Sequence, residues 1–349
     1  MAQAQIEKSV GKTYTPRNIY LESRYRLAQL NQRIRRAILE REKGSVRSGT
    51  YDDAHATKVG DFYDTHHESF MRVYGSVIQA FRTRNVDDLL DHQIKSMGLR
   101  PGQTVLDAGC GVGRPAVYFA KKAGVQVDAI TISQKQYADA LSRIEAESLS
   151  GQVRVVRGDY HRLQEHFAAS SYDVIYFLES FGHSTAKEYL LDVCWTMLKP
   201  GGLLYIKDLF RRITAIPKHR KQISAEVRKI NESYRYDIAE LNDVLTYIRQ
   251  KGYILTSVTT VDLKLEDFED LSISNEFQNL TGIARIENWR DYVFPVEFFE
   301  IKCLKPDYDI NQRLDRYFLQ HLYHRQVQSE GEQPGAMSTA NGNPVKATR

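Results

Sequence analysis

Two kinds of apolar pattern alternate between about residues 60 and 306. Short runs rich in Val, Ile, Leu and Tyr fall at 104–108, 126–132, 153–157, 173–177 and 203–207. They read as strands buried on both faces of a sheet. Between them, 115–123, 134–147 and 187–198 carry apolar residues at helical spacing. The Lys199-Pro200-Gly201-Gly202 turn feeds the fifth strand. Such alternation predicts an α/β protein with a parallel, doubly wound sheet, and a sheet of this kind takes its ligand at the carboxyl ends of its strands. The stretch 289–306, WRDYVFPVEFFEIKCLKP, reads as a loop and a final strand.

The ends of the chain read differently. Tyr20, Leu27, Leu30, Ile34, Ile38 and Leu39 recur near helical spacing, which predicts a long helix over 24–43, followed by a polar linker to 57. The tail 326–349 is poor in apolar residues and is expected to be disordered. A helix over 307–325 would precede it. The expected organisation is thus a helical arm and linker at 1–57, a catalytic domain at 58–306, then the C-terminal helix and tail.

Charge sharpens this only at the N-terminus. The chain carries +4 overall, but the first 50 residues hold eleven Lys/Arg and four Glu, and the remainder sums to −3. A basic arm could serve nucleic acid. Its regular apolar stripe argues instead for packing on the domain or on a second copy of the chain, so a homo-oligomer without nucleic acid is expected. No apolar run approaches 18 residues and the N-terminus lacks a signal-peptide core, so a cytoplasmic protein without a membrane span is expected. The three cysteines are scattered and form no CxxC pair, which speaks against a disulfide framework or a cysteine-based zinc site.

The chemistry-bearing stretch is Asp107-Ala108-Gly109-Cys110-Gly111-Val112-Gly113, set between a predicted strand and a predicted helix. Glycines there permit a tight turn and close backbone approach to a ligand. The third glycine falls one residue too early for a dinucleotide fingerprint, position 114 is Arg, and no Gly-Lys-Ser/Thr follows as a phosphate loop requires. Asp107 before the first glycine would repel a pyrophosphate and attract an ammonium.

This D-x-G-x-G-x-G pattern resembles the first motif of class I S-adenosylmethionine-dependent methyltransferases. Thr131-Ile132-Ser133-x-x-Gln136 resembles the T-x-S-x-x-Q variant of the sterol, tocopherol and cyclopropane-fatty-acid branch, and Gly158-Asp159-Tyr160 resembles the adenine-binding G-D motif. Leu198-Lys199-Pro200-Gly201-Gly202 resembles the turn before strand five. The resemblance implies a Rossmann-like seven-stranded sheet that 289–306 completes as an antiparallel strand. It implies S-adenosylmethionine as cofactor, held by Asp107, Gly109, Cys110, Gly111, Gly113, Thr131, Ile132, Gln136, Asp159 and Tyr160. Phe62-Tyr63-Asp64 and Tyr74-Gly75-Ser76 are similar to segments that close over the cofactor in that branch, which adds Tyr63 and Gly75.

The same branch suggests the acceptor. Glu179-Ser180-Phe181-Gly182-His183 is similar to a stretch of sterol C-methyltransferases, and Glu179 to the corresponding Glu of prenyl-diphosphate C-methyltransferases. The usual Trp is Tyr74 here, and the usual His after that segment is missing. Methylating an alkene leaves a tertiary cation, which needs a dry pocket, aromatic faces and a base. The chain is rich in Tyr (21) and Phe (14), and Glu179 or His183 would serve as base. An insertion at about 208–236 would form a lid. With Lys207, Arg211, Arg212, Lys218, His219, Arg220 and Lys221 in or beside it, a diphosphate would be suited, and Mg2+ could accompany that group. Tyr25, Phe181, Arg211, Arg212 and Trp289 are the candidate acceptor contacts. The expected reaction is methyl transfer to an isoprenoid alkene, on geranyl or farnesyl diphosphate, followed by proton loss or cyclisation. The alternative is a neutral prenylated product, a sterol, or an O/N nucleophile with His183 or Tyr176 as base. The bicarbonate-binding Cys/His/Glu set expected of cyclopropane-forming enzymes has no match here.

Overall fold

The computed structural model describes Tyr51, residues 53–263 and residues 270–307. The fold below belongs to the second of two units into which the chain divides, the one beginning at Asp52. The expected arm helix over 24–43 with Tyr25, the C-terminal helix over 307–325 and the tail lie outside the described residues.

Seven strands form one sheet: β1 (Thr104–Ala108), β2 (Gln126–Thr131), β3 (Val153–Arg157), β4 (Tyr172–Leu178), β5 (Leu198–Arg211), β6 (Ile254–Thr260) and β7 (Val296–Leu304). Their order is β3-β2-β1-β4-β5-β7-β6. The pairs β1–β2, β1–β4, β2–β3 and β4–β5 are parallel. Strand β7 runs antiparallel between β5 and β6. The strand order reverses between β1 and β4, where a doubly wound sheet opens its binding crevice.

Among the described residues the helices are α1 (Asp53–Thr65), α2 (His67–Val73), α3 (Val86–Met97), α4 (Arg114–Ala123), α5 (Gln134–Ala146), α6 (Lys187–Met197), α7 (Pro217–Tyr234), α8 (Leu241–Lys251) and α9 (Asp270–Thr281). Side chains alternate across each strand, so one sequence feeds two cores. Val105, Val127, Val155, Val174 and Tyr176 face one side with α4. Leu106, Ile130, Ile175, Phe177, Leu204 and Ile206 face the other with α6 and α8. The caps are local chemistry. Asn85 accepts from the Asp87 amide at the start of α3, and left-handed Gly98 ends that helix. Ser133 caps α5 by accepting from the Gln136 amide.

Two boundaries differ from the sequence expectation. The expected linker ends in helix, because α1 begins at Asp53. Its few apolar residues give a weak pattern, and long-range contacts hold it instead: an ion pair from Asp53 to Arg162 and a hydrogen bond from His55 Nε2 to the His183 carbonyl. The expected lid also starts later than 208. Asp208–Arg211 continue β5, since 208–211 find partners in residues 296–299 of β7, and helix resumes only at Pro217. No described helix is long and apolar enough to cross a membrane.

Ile206 is wholly buried at the centre of β5. Ile206→Ala is expected to destabilise the domain by about 2–5 kcal/mol through lost burial and a residual cavity. Urea unfolding should show a lower midpoint at an unchanged slope.

Candidate active site

The turn after β1 is built around its glycines. Gly109 has φ +107°, and a Cβ there would stand 2.5 Å from the Ser180 Cβ. The Gly109 and Cys110 amides both donate to the Ile130 carbonyl, at 3.0 and 2.9 Å, which ties the turn to β2. Gly111 has φ +53° and open space where a side chain would go. Gly113 caps α4 in the left-handed region. The Cys110 thiol is buried and its pKa pushed up by that burial, so it behaves as an inert wall rather than a nucleophile.

Two carboxylate oxygens near this edge lack donors. Asp107 is buried in β1 and its Oδ2 has no partner. Burial pushes its pKa up to about 7, and the neighbouring Tyr176 hydroxyl opposes this without closing a hydrogen bond. Asp159, just past β3, also leaves Oδ2 buried and unpartnered. Between them, at the end of β2, the Thr131 hydroxyl donates to Gln136 Oε1 at 2.9 Å. Ile132 packs against α1 at Gly60, and the Tyr160 hydroxyl donates to the Ser180 carbonyl. Asp64 of α1 completes this edge. It accepts from Ser133 Oγ and from the Gln134 and Lys135 amides at the start of α5. Burial raises its pKa, and these donors outweigh that to leave it lowered.

Beyond the switch point lies a cavity of about 880 Å³, its open mouth included. Tyr63, Phe70, Tyr74, Tyr234, Tyr236, Trp289, Tyr292, Phe294 and Phe298 give it an aromatic wall, and Ser274, Asn275 and Gln278 add a neutral polar strip. Asn275 Oδ1 is buried without a partner. Among the described residues that line it, Glu179 is the charged group and none is Lys or Arg.

Glu179 sits just past β4 with φ +59°, a conformation unfavourable for a residue with a Cβ. Three donors hold it there. The Ala80 amide donates at 2.5 Å, the Phe81 amide at 3.1 Å, and Lys207 forms an ion pair with the same carboxylate. Lys207 is fully buried and also donates to Gln79 Oε1 and the Phe81 carbonyl. The carboxylate is therefore held at the cavity wall as one half of a buried ion pair, with most of its lone pairs engaged.

His183 is buried behind the wall. A backbone carbonyl only accepts, so the 3.0 Å contact from Nδ1 to the Arg235 carbonyl places the ring proton on Nδ1. Nε2 then accepts from the Tyr63 hydroxyl at 2.9 Å. Burial pushes the imidazole down to about 4 and pushes the Tyr63 phenol up, so both are neutral near pH 7. The ring also lies 4.0 Å from that of Tyr236, centroid to centroid. Gly182 is needed there: a Cβ would stand 2.6 Å from the Tyr236 ring. Nearby Asp208 accepts from the Gly182 and Leu209 amides, and burial pushes it up to about 7.

Of the acceptor contacts read from sequence, Trp289 lines the cavity and Phe181 does not. Phe181 belongs to the core below the sheet edge, edge-on to Phe177. Tyr176 points into the opposite core beside Asp107. Arg211 and Arg212 also lie outside the lining. Arg211 donates to Ser224 and faces Glu240, while Arg212 faces Glu297 and the Phe294 ring. Lys218, Arg220 and Lys221 of α7 are exposed. Gly75 has φ +64° with open space beside it. Among the described residues no group of three or more His, Cys, Asp or Glu is placed to hold a metal. The sequence reading missed Ser274, Asn275, Gln278 and the Lys207–Glu179 pairing, which depend on long-range packing and have no local motif.

Comparison with known proteins fits this geometry. The family described as mycolic acid cyclopropane synthetase matches residues 85–281, more than half of the chain. The chain belongs to that family. It falls within the class I S-adenosylmethionine-dependent methyltransferases. A methyltransferase of Streptomyces halstedii is 29% identical over 184 residues, covering 48% of this chain and 63% of that protein. A sterol 24-C-methyltransferase of Gibberella zeae is 30% identical over 181 residues, covering 52% of this chain and 44% of that protein. The chain thus matches less than two thirds of the length of either. The geranyl diphosphate C-methyltransferase of Streptomyces coelicolor A3(2) shares the fold, with a TM-score of 0.60 at 16% identity over 73% of this chain and 99% of that one.

Removing Lys207 leaves a buried carboxylate uncompensated, so Lys207→Met is expected to cost about 3–5 kcal/mol. Lys207→Met combined with Glu179→Gln should recover part of that loss in thermal melts. His183 is held below its unfolded value of 6.5, so the unfolded chain binds its proton first. The stability it contributes is present above about 6.5 and lost as pH falls toward about 4. Asp107 and Asp208 oppose it over part of this range. The His183→Gln difference isolates the effect: denaturant titrations should show wild type losing more stability than the variant between pH 6.5 and 4.

Proposed function

We propose that the protein transfers a methyl group from S-adenosylmethionine to an alkene carbon of a neutral, hydroxyl-bearing isoprenoid. The observation that carries the acceptor is the cavity lining: aromatic walls, an ion-paired carboxylate, an unpartnered Asn275 Oδ1, and no Lys or Arg among the described lining residues. A hydroxyl can donate to that oxygen. A diphosphate has acceptors only and would meet the Glu179 carboxylate, whose charge Lys207 already answers, with no Lys or Arg among the described lining residues for its own charge, which weighs against geranyl or farnesyl diphosphate as acceptor and against a magnesium requirement coupled to it.

The cofactor assignment rests on the two orphan carboxylate oxygens and the open space at Gly111. S-adenosylmethionine offers nitrogen donors at both ends, an ammonium and an adenine amine. Asp107 and the glycine turn would hold the amino-acid end, Thr131 and Gln136 the ribose, and Asp159 with Ile132 and Tyr160 the adenine. When bound, the cofactor supplies an electrophilic methyl carbon and a neutral sulfide leaving group.

The protein's own groups then handle charge. As the alkene's electron pair bonds the methyl carbon, positive charge develops on the acceptor. The fixed Glu179 carboxylate and the tyrosine faces stabilise it. The adjacent C–H proton passes to Tyr63 Oη while the Tyr63 proton passes to His183 Nε2, and the C–H pair re-forms an alkene. A neutral imidazole of low basicity suffices here, because a carbocation is a strong acid. The same weakness makes deprotonation of an alcohol the less favoured use of this relay.

Purified protein with methyl-labelled S-adenosylmethionine should label neutral prenyl alcohols or sterols on carbon, read by gas chromatography–mass spectrometry. Label appearing only on geranyl or farnesyl diphosphate would overturn the neutral acceptor, and loss of the label as methanol would move the methyl to oxygen. Tyr63→Phe is expected to lower kcat by about 10²-fold with little change in the affinity for S-adenosylhomocysteine, consistent with loss of a proton relay.

A further inference from the structure

Asp159 is the end of a one-way hydrogen-bond chain that reaches across the sheet edge. Its Oδ1 accepts twice from His161: from the backbone amide at 2.8 Å and from the ring Nδ1 at 2.7 Å. A carboxylate only accepts, so Nδ1 carries a proton, and in the neutral ring Nε2 is the acceptor. Ser184 Oγ lies 2.7 Å from that Nε2 and itself accepts from the Ala186 amide at 3.1 Å. With a neutral ring the bonds run one way, from Ala186 N–H to Ser184 Oγ–H to His161 to Asp159. Ser184 is fully buried and His161 nearly so. Both contacts of Asp159 with His161 use the same oxygen, and Oδ2 stays buried without a donor.

The three side chains look like a nucleophile, base and acid in series, but the serine is wholly enclosed and its oxygen already takes an amide proton. The free valence of the array is at the opposite end, on the carboxylate. We infer that His161 and Ser184 are positioning residues that lock the Asp159 carboxylate so that Oδ2 accepts from the exocyclic amine of the cofactor's adenine, which makes them determinants of base specificity. This rests on the cofactor reading above. The resemblance of Gly158-Asp159-Tyr160 to the G-D motif implies the adenine end at Asp159, and spacing and surroundings agree with it. Asp159 and Asp107 stand two strands apart, roughly 10 Å, a separation suited to the two ends of one elongated ligand. Ile132 and Tyr160 next to Asp159 offer apolar surface for a purine. A buried oxygen built for a donor rejects a ligand that brings an acceptor there.

The test is calorimetric and needs no turnover. S-adenosylhomocysteine is compared with its inosyl analogue, in which the amine is replaced by a carbonyl oxygen. Wild type should prefer the adenosyl ligand by about tenfold or more. His161→Ala, and Ser184→Ala at the far end of the chain, should cut that preference by about threefold or more and leave affinity for the inosyl ligand nearly unchanged. His161→Gln, which can still donate to Asp159, should restore part of it. Equal weakening of both ligands in the folded variants, or an unchanged preference, overturns the inference and leaves the cofactor reading standing. Failure of wild type to bind S-adenosylhomocysteine overturns both.

Discussion

The buried ion pair between Lys207 and Glu179 is the constraint on which the cavity depends. An ammonium with no solvent contact is tolerated only when its protons find acceptors. Lys207 has three: Glu179, Gln79 Oε1 and the Phe81 carbonyl. Glu179 in turn takes the Ala80 and Phe81 amides. Segment 79–81 is thereby fastened to the end of β4 and the middle of β5, and with it the wall formed by Tyr74, Ile78 and Ala80. The strained backbone of Glu179 is held by these bonds and by its own amide donating to the Lys207 carbonyl. Charge placement and cavity shape are thus one feature of the fold.

The opposite wall is set by a second stitch. The Asp237 amide donates to the Gly182 carbonyl, His183 Nδ1 to the Arg235 carbonyl, and the Tyr236 hydroxyl to the Glu179 carbonyl. Lys187 bridges the Ser184 carbonyl to the Asp237 carboxylate. The segment leaving α7 is therefore bound to the turn after β4, and Tyr63 meets His183 across it. Burial then makes the imidazole a weak, neutral acceptor. An imidazole of such low basicity is poorly suited to strip protons from alcohols.

Much of the fold was legible because its signals are local. Buried parallel strands require continuous apolar runs, so β1 to β4 and the helices between them stand out in the chain. The glycine turn was legible because only residues without a Cβ can hold φ +107° against Ser180. Other elements were obscure for physical reasons. Strand β6, ILTSVTT, is only half-buried at the sheet edge, so its pattern is weak. Helix α1 is held by contacts with residues more than a hundred positions away. The β5 extension through Arg211 exists because β7 pairs with it, which turned part of an expected lid into sheet.

By itself, the sequence determined the alternating α/β architecture and the glycine turn with its flanking acid, since each follows from side-chain size, polarity or backbone freedom over a few neighbouring residues; the antiparallel course of the closing strand came only from the family resemblance. Only the tertiary structure decided which charges face the cavity. Arg211 and Arg212 sit in a basic stretch of sequence, yet acidic and aromatic neighbours from the residue capping α8, from β7 and from the loop before β7 hold them outside the lining. Glu179 faces inward because a lysine 28 positions later is buried beneath it. Ion pairing in a low-dielectric interior depends on distances across the fold, and those distances are absent from local sequence pattern.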